Sequence, residues 1–269
     1  MISPRPTASA PPCWPRASSS RTAPPALPGK QPREEKYESN WHPAQQGQAV
    51  NASKVIAIAT TSDLATPEYW SQARTHLMKK DRVMKRLIPQ FGETSLQTRG
   101  DAFVTLARSI VGQQISVKAA QTVWDRFAAL TPAITPPDVL RLKIDDMRAA
   151  GLSARKVEYL VDLALHFDGN KLHVDAWQAM DDEAIIAELV AVRGIGRWTA
   201  EMFLIFHLMR PNVLPLDDVG LLNGISRNYF SGDPVSRSDA REVAQAWKPW
   251  CSVATWYIWR SLDPLPVSY

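Results

Sequence analysis

An all-α body is predicted for residues 63–269, and three observations predict it. Apolar residues recur there at three- and four-residue spacing in one segment after another. No alternating apolar/polar stretch of convincing length interrupts them. The run Val192-Arg193-Gly194-Ile195-Gly196-Arg197-Trp198-Thr199-Ala200 places two glycines around one apolar residue, the pattern of a tight hairpin between helices. Residues 1–62 differ: they hold ten of the 21 prolines, with Ser, Ala and Gln between them. Such a segment buries too little apolar surface to offset its ordering entropy, so a disordered Pro-rich extension is expected.

The elements follow in order. Trp70, Ala73, Leu77, Met84, Leu87 and Ile88 recur at roughly helical spacing. Asp101 can cap a helix in which Phe103, Leu106, Ala107, Ile110 and Val111 form one stripe. A helix from Val117 to Leu130 ends at Thr131-Pro132, and Val157, Leu160, Val161, Ala164 and Phe167 mark the next, stopped near Gly169-Asn170. The segment from Asp182 to Val192 leads into the hairpin. From Trp198 to Met209 the chain is apolar almost all round, which predicts a buried central helix. Asp217 to Phe230, Ser238 to Trp247 and Ser252 to Leu262 complete the set. No internal repeat is visible.

Composition bounds the function classes. The chain has 269 residues, 45% of them hydrophobic, enough for a sizeable core. Net charge is +4, of which residues 1–63 supply +3 and the body only +1. Affinity of the body for nucleic acid must therefore come from a local face and backbone donors rather than bulk charge. Two cysteines, Cys13 and Cys251, exclude a four-cysteine zinc or iron–sulfur site and give no disulfide framework. A reduced cytoplasmic interior is the expected setting. No run of 18 apolar residues is present, so no membrane span is expected.

Three clusters carry chemistry. Gly194 and Gly196 lack a Cβ, so both can adopt positive φ and admit a second backbone. Arg197 begins a helix whose free N–H groups and positive dipole end suit an anion. A Gly-x-Gly alone also fits a turn that binds nothing. Here Asp217 and Asp218 follow 21 and 22 residues after Gly196, one helix later, which adds an acid suited to chemistry on a sugar. The second cluster, Gly112-Gln113-Gln114-Ile115-Ser116, ends an apolar helix with two amides able to fill the space of a displaced base; a solvated helix end is the alternative. The third runs from Trp247 to Arg260 and sets Trp256 and Trp259 on one helical face. Most of these rings are expected in the core, with one or two lining a pocket.

Taken together, the Gly-Ile-Gly hairpin, the later aspartate and the Gln-containing helix resemble the helix–hairpin–helix superfamily of DNA glycosylases, specifically the DNA-3-methyladenine glycosylase II branch, over residues 66–262. The resemblance implies two helical subdomains with the active-site cleft between them. It puts the catalytic acid on Asp218 and leaves Asp217 as a helix cap. It implies a base pocket of Gln113, Trp198, Met202 and Trp259, with Gln114 as the wedge filling the vacated space. Arg193, Gly194, Ile195, Gly196 and Arg197 would bind DNA phosphates. No cofactor is required, a monovalent cation at the hairpin being the one addition the resemblance allows, and no protein metal site is implied. The partner is double-stranded DNA with damaged bases, bound by a monomer in the bacterial cytoplasm.

Departures from the pattern sharpen the expectation. Relatives that also cut the backbone carry a lysine where this chain has Trp198, so a monofunctional enzyme is implied. Met202 stands where an aromatic is common, and the wedge is polar Gln114 rather than leucine. An alkylated purine is cationic and already a good leaving group. The enzyme then needs extrusion of the nucleotide, π faces for the base, and an anion near C1′. A non-catalytic helix–hairpin–helix module, or a glycosylase for oxidised or mismatched bases, remains the alternative.

Overall fold

The computed structural model describes residues 66–97 and 100–262; the extension expected over residues 1–62 lies outside them. Among the described residues every regular element is helical: α1 Trp70–Lys80, α2 Arg82–Leu87, α3 Ala102–Gly112, α4 Val117–Ala128, α5 Pro136–Arg141, α6 Ile144–Ala149, α7 Ala154–Asp168, α8 Asp182–Val190, α9 Arg197–Phe206, α10 Val219–Tyr229, α11 Arg237–Val243 and α12 Cys251–Leu262. Short 3-10 turns follow α2 at Ile88–Phe91 and α11 at Ala244–Ala246, and a third lies at Val174–Ala176.

Side-chain caps set where these helices start, because the first N–H groups of a helix have no internal partner. Asp101 accepts from Val104 N at 3.1 Å, Ser153 from Lys156 N at 3.3 Å and Asp181 from Ala184 N at 2.9 Å. Ser236 and Asp239 form a reciprocal capping box on α11. Asp81 explains why the apolar series Trp70–Ile88 becomes two helices. Its backbone is extended, at φ −134° and ψ 123°, and its Oδ1 takes the N–H groups of Val83 and Met84. Its Oδ2 accepts from Tyr229 Oη at 2.7 Å and Trp247 Nε1 at 3.0 Å, so one carboxylate joins three segments. The sequence reading has no counterpart for α5 and α6, which at six residues each are too short to display a period.

The helices pack in two groups. In one, α1 and α2 pack on α12, and α10 packs on α11 and α12; in the other, α3 packs on α4, α7 and α9, α7 on α5 and α6, and α8 on α9. The first group joins the two ends of the described chain, and the second is its middle. Helix α9 is the expected buried helix, with Ala200 through Ile205 inside, though it stops at Phe206 rather than Met209. Phe203 meets Trp177 edge-on at 5.5 Å, and Phe206 stacks on Trp259 of α12 at 5.7 Å, so α9 spans both groups.

The connection from α9 to α10 is pinned along its length. Tyr69 Oη donates to Met209 O at 2.7 Å. Ser252 Oγ accepts from Val213 N at 2.9 Å, while Ser252 N donates to Pro211 O at 3.0 Å. Asp218 N then closes a turn onto Pro215 O at 3.0 Å. Asp218 thus arrives at the boundary between the groups on a tethered segment. Of the rings between Trp247 and Arg260, expected mostly in the core, Trp247, Tyr257 and Trp259 are buried and Trp250 and Trp256 are half-buried.

Candidate functional site

Asp218 is the N-cap of α10 and is 7% exposed. Its Oδ1 accepts from Leu221 N at 2.5 Å and from Trp259 Nε1 at 2.8 Å. Its Oδ2 accepts from Trp198 Nε1 at 2.8 Å. An ionised carboxylate offers about four acceptor directions. Three are filled by N–H groups of the protein, which leaves Oδ2 with one further acceptor direction. Asp217, expected as the cap, is not: it points outward and pairs with Arg237 at 2.6 Å. The reason is the turn onto Pro215, which delivers the second acid, not the first, to the free N–H groups of α10.

Two glycines of α10 let the tryptophan of α12 reach this acid. A Cβ at Gly220 would lie 3.1 Å from Asp218 Oδ1 and 3.3 Å from the Trp259 indole. A Cβ at Gly224 would lie 2.2 Å from Ile258 Cγ2, inside any allowed contact. The sequence reading missed both, although their four-residue spacing on one helix face was visible.

The two tryptophans that donate to Asp218 differ in kind. Trp198 is 38% exposed and presents a free ring. Trp259 is 9% exposed, with one face covered by Phe206 at an interplanar angle of 11°. Met202 lies buried one turn beyond Trp198. The Nε2 of Gln113 donates to Gly194 O at 2.9 Å, tying the end of α3 to the hairpin. Gln114 follows at φ 59°, a left-handed conformation uncommon outside glycine.

The hairpin forms as expected, with one correction. Ile195 is buried and its N–H closes the turn onto Val192 O at 3.1 Å. Gly194 sits at φ +85°, and a Cβ there would lie 2.2 Å from the Tyr159 ring. Gly196, however, is at φ −93° and ψ 170°, a conformation open to any residue, and a Cβ there would meet nothing within 4 Å. It is the N-cap of α9 and has no side chain to bond the N–H groups that follow. The flanking arginines are already paired. Arg193 meets Glu158 at 3.0 Å; Arg197 meets Glu183 at 2.5 Å and Glu201 at 3.0 Å. Glu201 is buried in α9, and that burial raises its pKa against the opposing pull of Arg197. An anion at the hairpin therefore meets backbone donors first, with guanidinium charge partly neutralised.

Two surface cavities, of about 360 and 560 Å³, lie elsewhere, one bordered by Arg86, Arg227 and Arg260 and the other by Phe103, Ile134 and Phe167. Among the described residues no cluster of His, Cys, Asp and Glu could hold a metal, and no helix is long and apolar enough to cross a membrane.

Residues 107–251 match the family described as HhH-GPD superfamily base excision DNA repair protein. A putative DNA-3-methyladenine glycosylase of Bacillus subtilis, YfjP, is 31% identical over 166 residues, which cover 59% of this chain and 58% of that protein. Among solved structures, a DNA-3-methyladenine glycosidase from Bacillus halodurans superposes with a TM-score of 0.67 at 32% identity, over 71% of this chain and 89% of its own. The 3-methyladenine DNA glycosylase Mag1 of Schizosaccharomyces pombe, in complex with abasic DNA, gives 0.62 at 28% identity, over 73% of this chain and all of the other.

Proposed function

The chain belongs to the HhH-GPD superfamily of base excision DNA repair proteins, and on that premise we propose that it is a monofunctional DNA glycosylase that excises alkylated purines such as 3-methyladenine. The relatives named for that activity support the substrate class. The observation that carries the reading is the carboxylate of Asp218, buried and held on both oxygens by the indoles of Trp198 and Trp259.

The proposed reaction follows from that arrangement. The damaged nucleotide leaves the stack, and Gln114 enters the space it vacates. The exposed Trp198 ring receives the cationic base, because a π face attracts a desolvated cation more than a neutral ring. Trp259 holds Asp218 in place more than it offers a face. As the bond between C1′ and the purine nitrogen lengthens, its electron pair leaves with the base, whose positive charge is thereby cancelled. Positive charge grows on the sugar, and the buried carboxylate of Asp218 faces it. The open acceptor direction on Oδ2 takes a proton from the attacking water. The products are free base and an abasic sugar. With Trp198 in place of an amine, no Schiff base forms.

The hairpin supplies binding without sequence information. Phosphates dock on the uncapped N–H groups from Gly196 into α9, with Arg193 and Arg197 exchanging carboxylate for phosphate. A monovalent cation on the turn would be held by backbone carbonyls. Those of Val192 and Gly194 each already accept one hydrogen bond and keep a second lone pair. Its contribution would be electrostatic, toward the phosphate, and the hydrolysis draws on no other cofactor. The protein is proposed to act as a monomer on double-stranded DNA in the bacterial cytoplasm.

The test is base release. The purified chain should liberate 3-methyladenine and 7-methylguanine from methylated DNA and leave alkali-labile abasic sites. Release of 8-oxoguanine in preference to methylated purines would refute the substrate class. Tight DNA binding with no base release would favour a non-catalytic module.

A further inference from the structure

Helix α7 carries a lysine that the chemistry above does not use. Lys156 Nζ donates to Val111 O at 2.8 Å and to Gln113 O at 2.7 Å. These carbonyls belong to the open end of α3, where the last C=O groups lack helical partners and the dipole is negative. One ammonium therefore clamps the chain on both sides of Gly112, just before Gln114 turns into its left-handed conformation. Burial lowers the pKa of this amine, as expected for a group drawn in from water.

The same face of α7 holds the hairpin. Tyr159, three residues on, fills the space a side chain at 194 would need. Asp162, three further, accepts from Arg193 N at 2.8 Å through Oδ2. Gln113 Nε2 closes the circuit onto Gly194 O. The loop bearing Gln114 and the hairpin are thus both built on one helical stripe, Lys156, Tyr159 and Asp162, at the spacing that puts side chains on one face.

We propose that Lys156 is a positioning residue for extrusion: by fixing the two carbonyls before Gln114 it sets the depth at which that side chain enters the duplex, in register with the phosphates held at the hairpin. The proposal rests on Gln114 being the wedge. Lys156 itself touches neither base nor sugar, so its role is confined to substrates whose base must be pulled from the stack.

The experiment compares 7-methylguanine in a fully paired duplex with the same lesion in a one-nucleotide bulge, where much of the unstacking is already done. Single-turnover excision is measured at saturating enzyme for wild type, Lys156→Met, Lys156→Arg, Gln114→Ala and the double variant Lys156→Met/Gln114→Ala. Lys156→Met should slow the paired substrate about tenfold, the scale of one lost charge-assisted hydrogen bond. It should slow the bulged substrate less than about twofold, since that substrate does not pay for extrusion again. Lys156→Arg should recover much of the loss. The double variant should be no slower than Gln114→Ala, because both act on one event. Equal slowing on both substrates would mark a structural lysine and overturn the proposal, as would no slowing on either or full additivity with Gln114→Ala. A Gln114→Ala enzyme at wild-type rate on paired DNA would overturn the wedge assignment itself, and the proposal with it. The comparison between substrates is made within each variant, so a partial loss of folded Lys156→Met protein cannot imitate the split.

Discussion

The indole N–H of Trp198 lies 2.8 Å from the Oδ2 of Asp218, so the ring proposed to receive a base and the acid proposed to face the sugar are joined by one hydrogen bond across two helices. A second indole, from Trp259, holds the other oxygen. The acid thus has a fixed orientation before any substrate arrives, which is the condition for electrostatic stabilisation at low reorganisation cost.

Asp218→Asn should lower single-turnover excision by roughly two to three orders of magnitude, the scale for removing one preorganised group that faces developing charge. Stability should fall by only about 1 kcal/mol, since asparagine also caps a helix. Its Nδ2 would nevertheless face one of the indole N–H groups, and a change in tryptophan fluorescence should report that clash. Near wild-type turnover by a folded variant would remove the catalytic assignment.

Trp198→Phe separates the two parts of that relationship. It keeps an aromatic face and deletes the N–H on Asp218. Binding of a duplex with a damaged base should change little, while the excision step should slow about tenfold, the value of one hydrogen bond to a charged group. A loss confined to binding would show that the N–H does not orient the acid.

Borohydride added during turnover should trap no covalent enzyme–DNA complex, because Trp198 stands where a lyase would present an amine. Strand cleavage without added base would contradict this. So would a trapped adduct visible as a shifted band on a denaturing gel.

Gly194 and Gly196 should respond in opposite ways. Gly194→Ala forces a Cβ into the Tyr159 ring at a positive φ, so stability should drop by roughly 1–3 kcal/mol, read as a lowered Tm. Gly196→Val meets no internal atom and needs no positive φ, so Tm should fall only by what a poorer N-cap costs, no more than about 1 kcal/mol. Its methyls instead occupy the outer face of the turn, and the Kd for damaged and undamaged duplex should rise by a similar factor. Unchanged affinity for both would make the hairpin purely structural.

Asp217→Ala should leave excision intact and cost no more than about 1 kcal/mol, the usual worth of an exposed ion pair such as that with Arg237. Loss of turnover in this variant at unchanged Tm would reverse the assignment of the two aspartates.

The sequence by itself determined the helical class, the hairpin, and the pair of acids one helix after it. These are local features. A 3.6-residue period survives in any chain that must bury one helix face, and a glycine beside a buried Ile195 announces its turn without help from distant residues. It also placed Trp198 and Trp259 near the acid through a family resemblance, although their spacing gives no such contact.

The resemblance put the catalytic role on Asp218, but only the tertiary structure decided that this same residue, and not Asp217, caps α10, since that depends on the turn onto Pro215 and on the tethering of the preceding segment by Tyr69 and Ser252. It alone showed Gln113 bonded to Gly194, Gly196 in an ordinary conformation, and Lys156 clamping the end of α3. The physical reason is common to all of these. A hydrogen bond reaches about 3 Å, and its partners here lie 20 to 140 residues apart, or on opposite sides of a turn whose direction is set by packing. Periodicity records which face of a helix is buried, but not which distant group that face will meet.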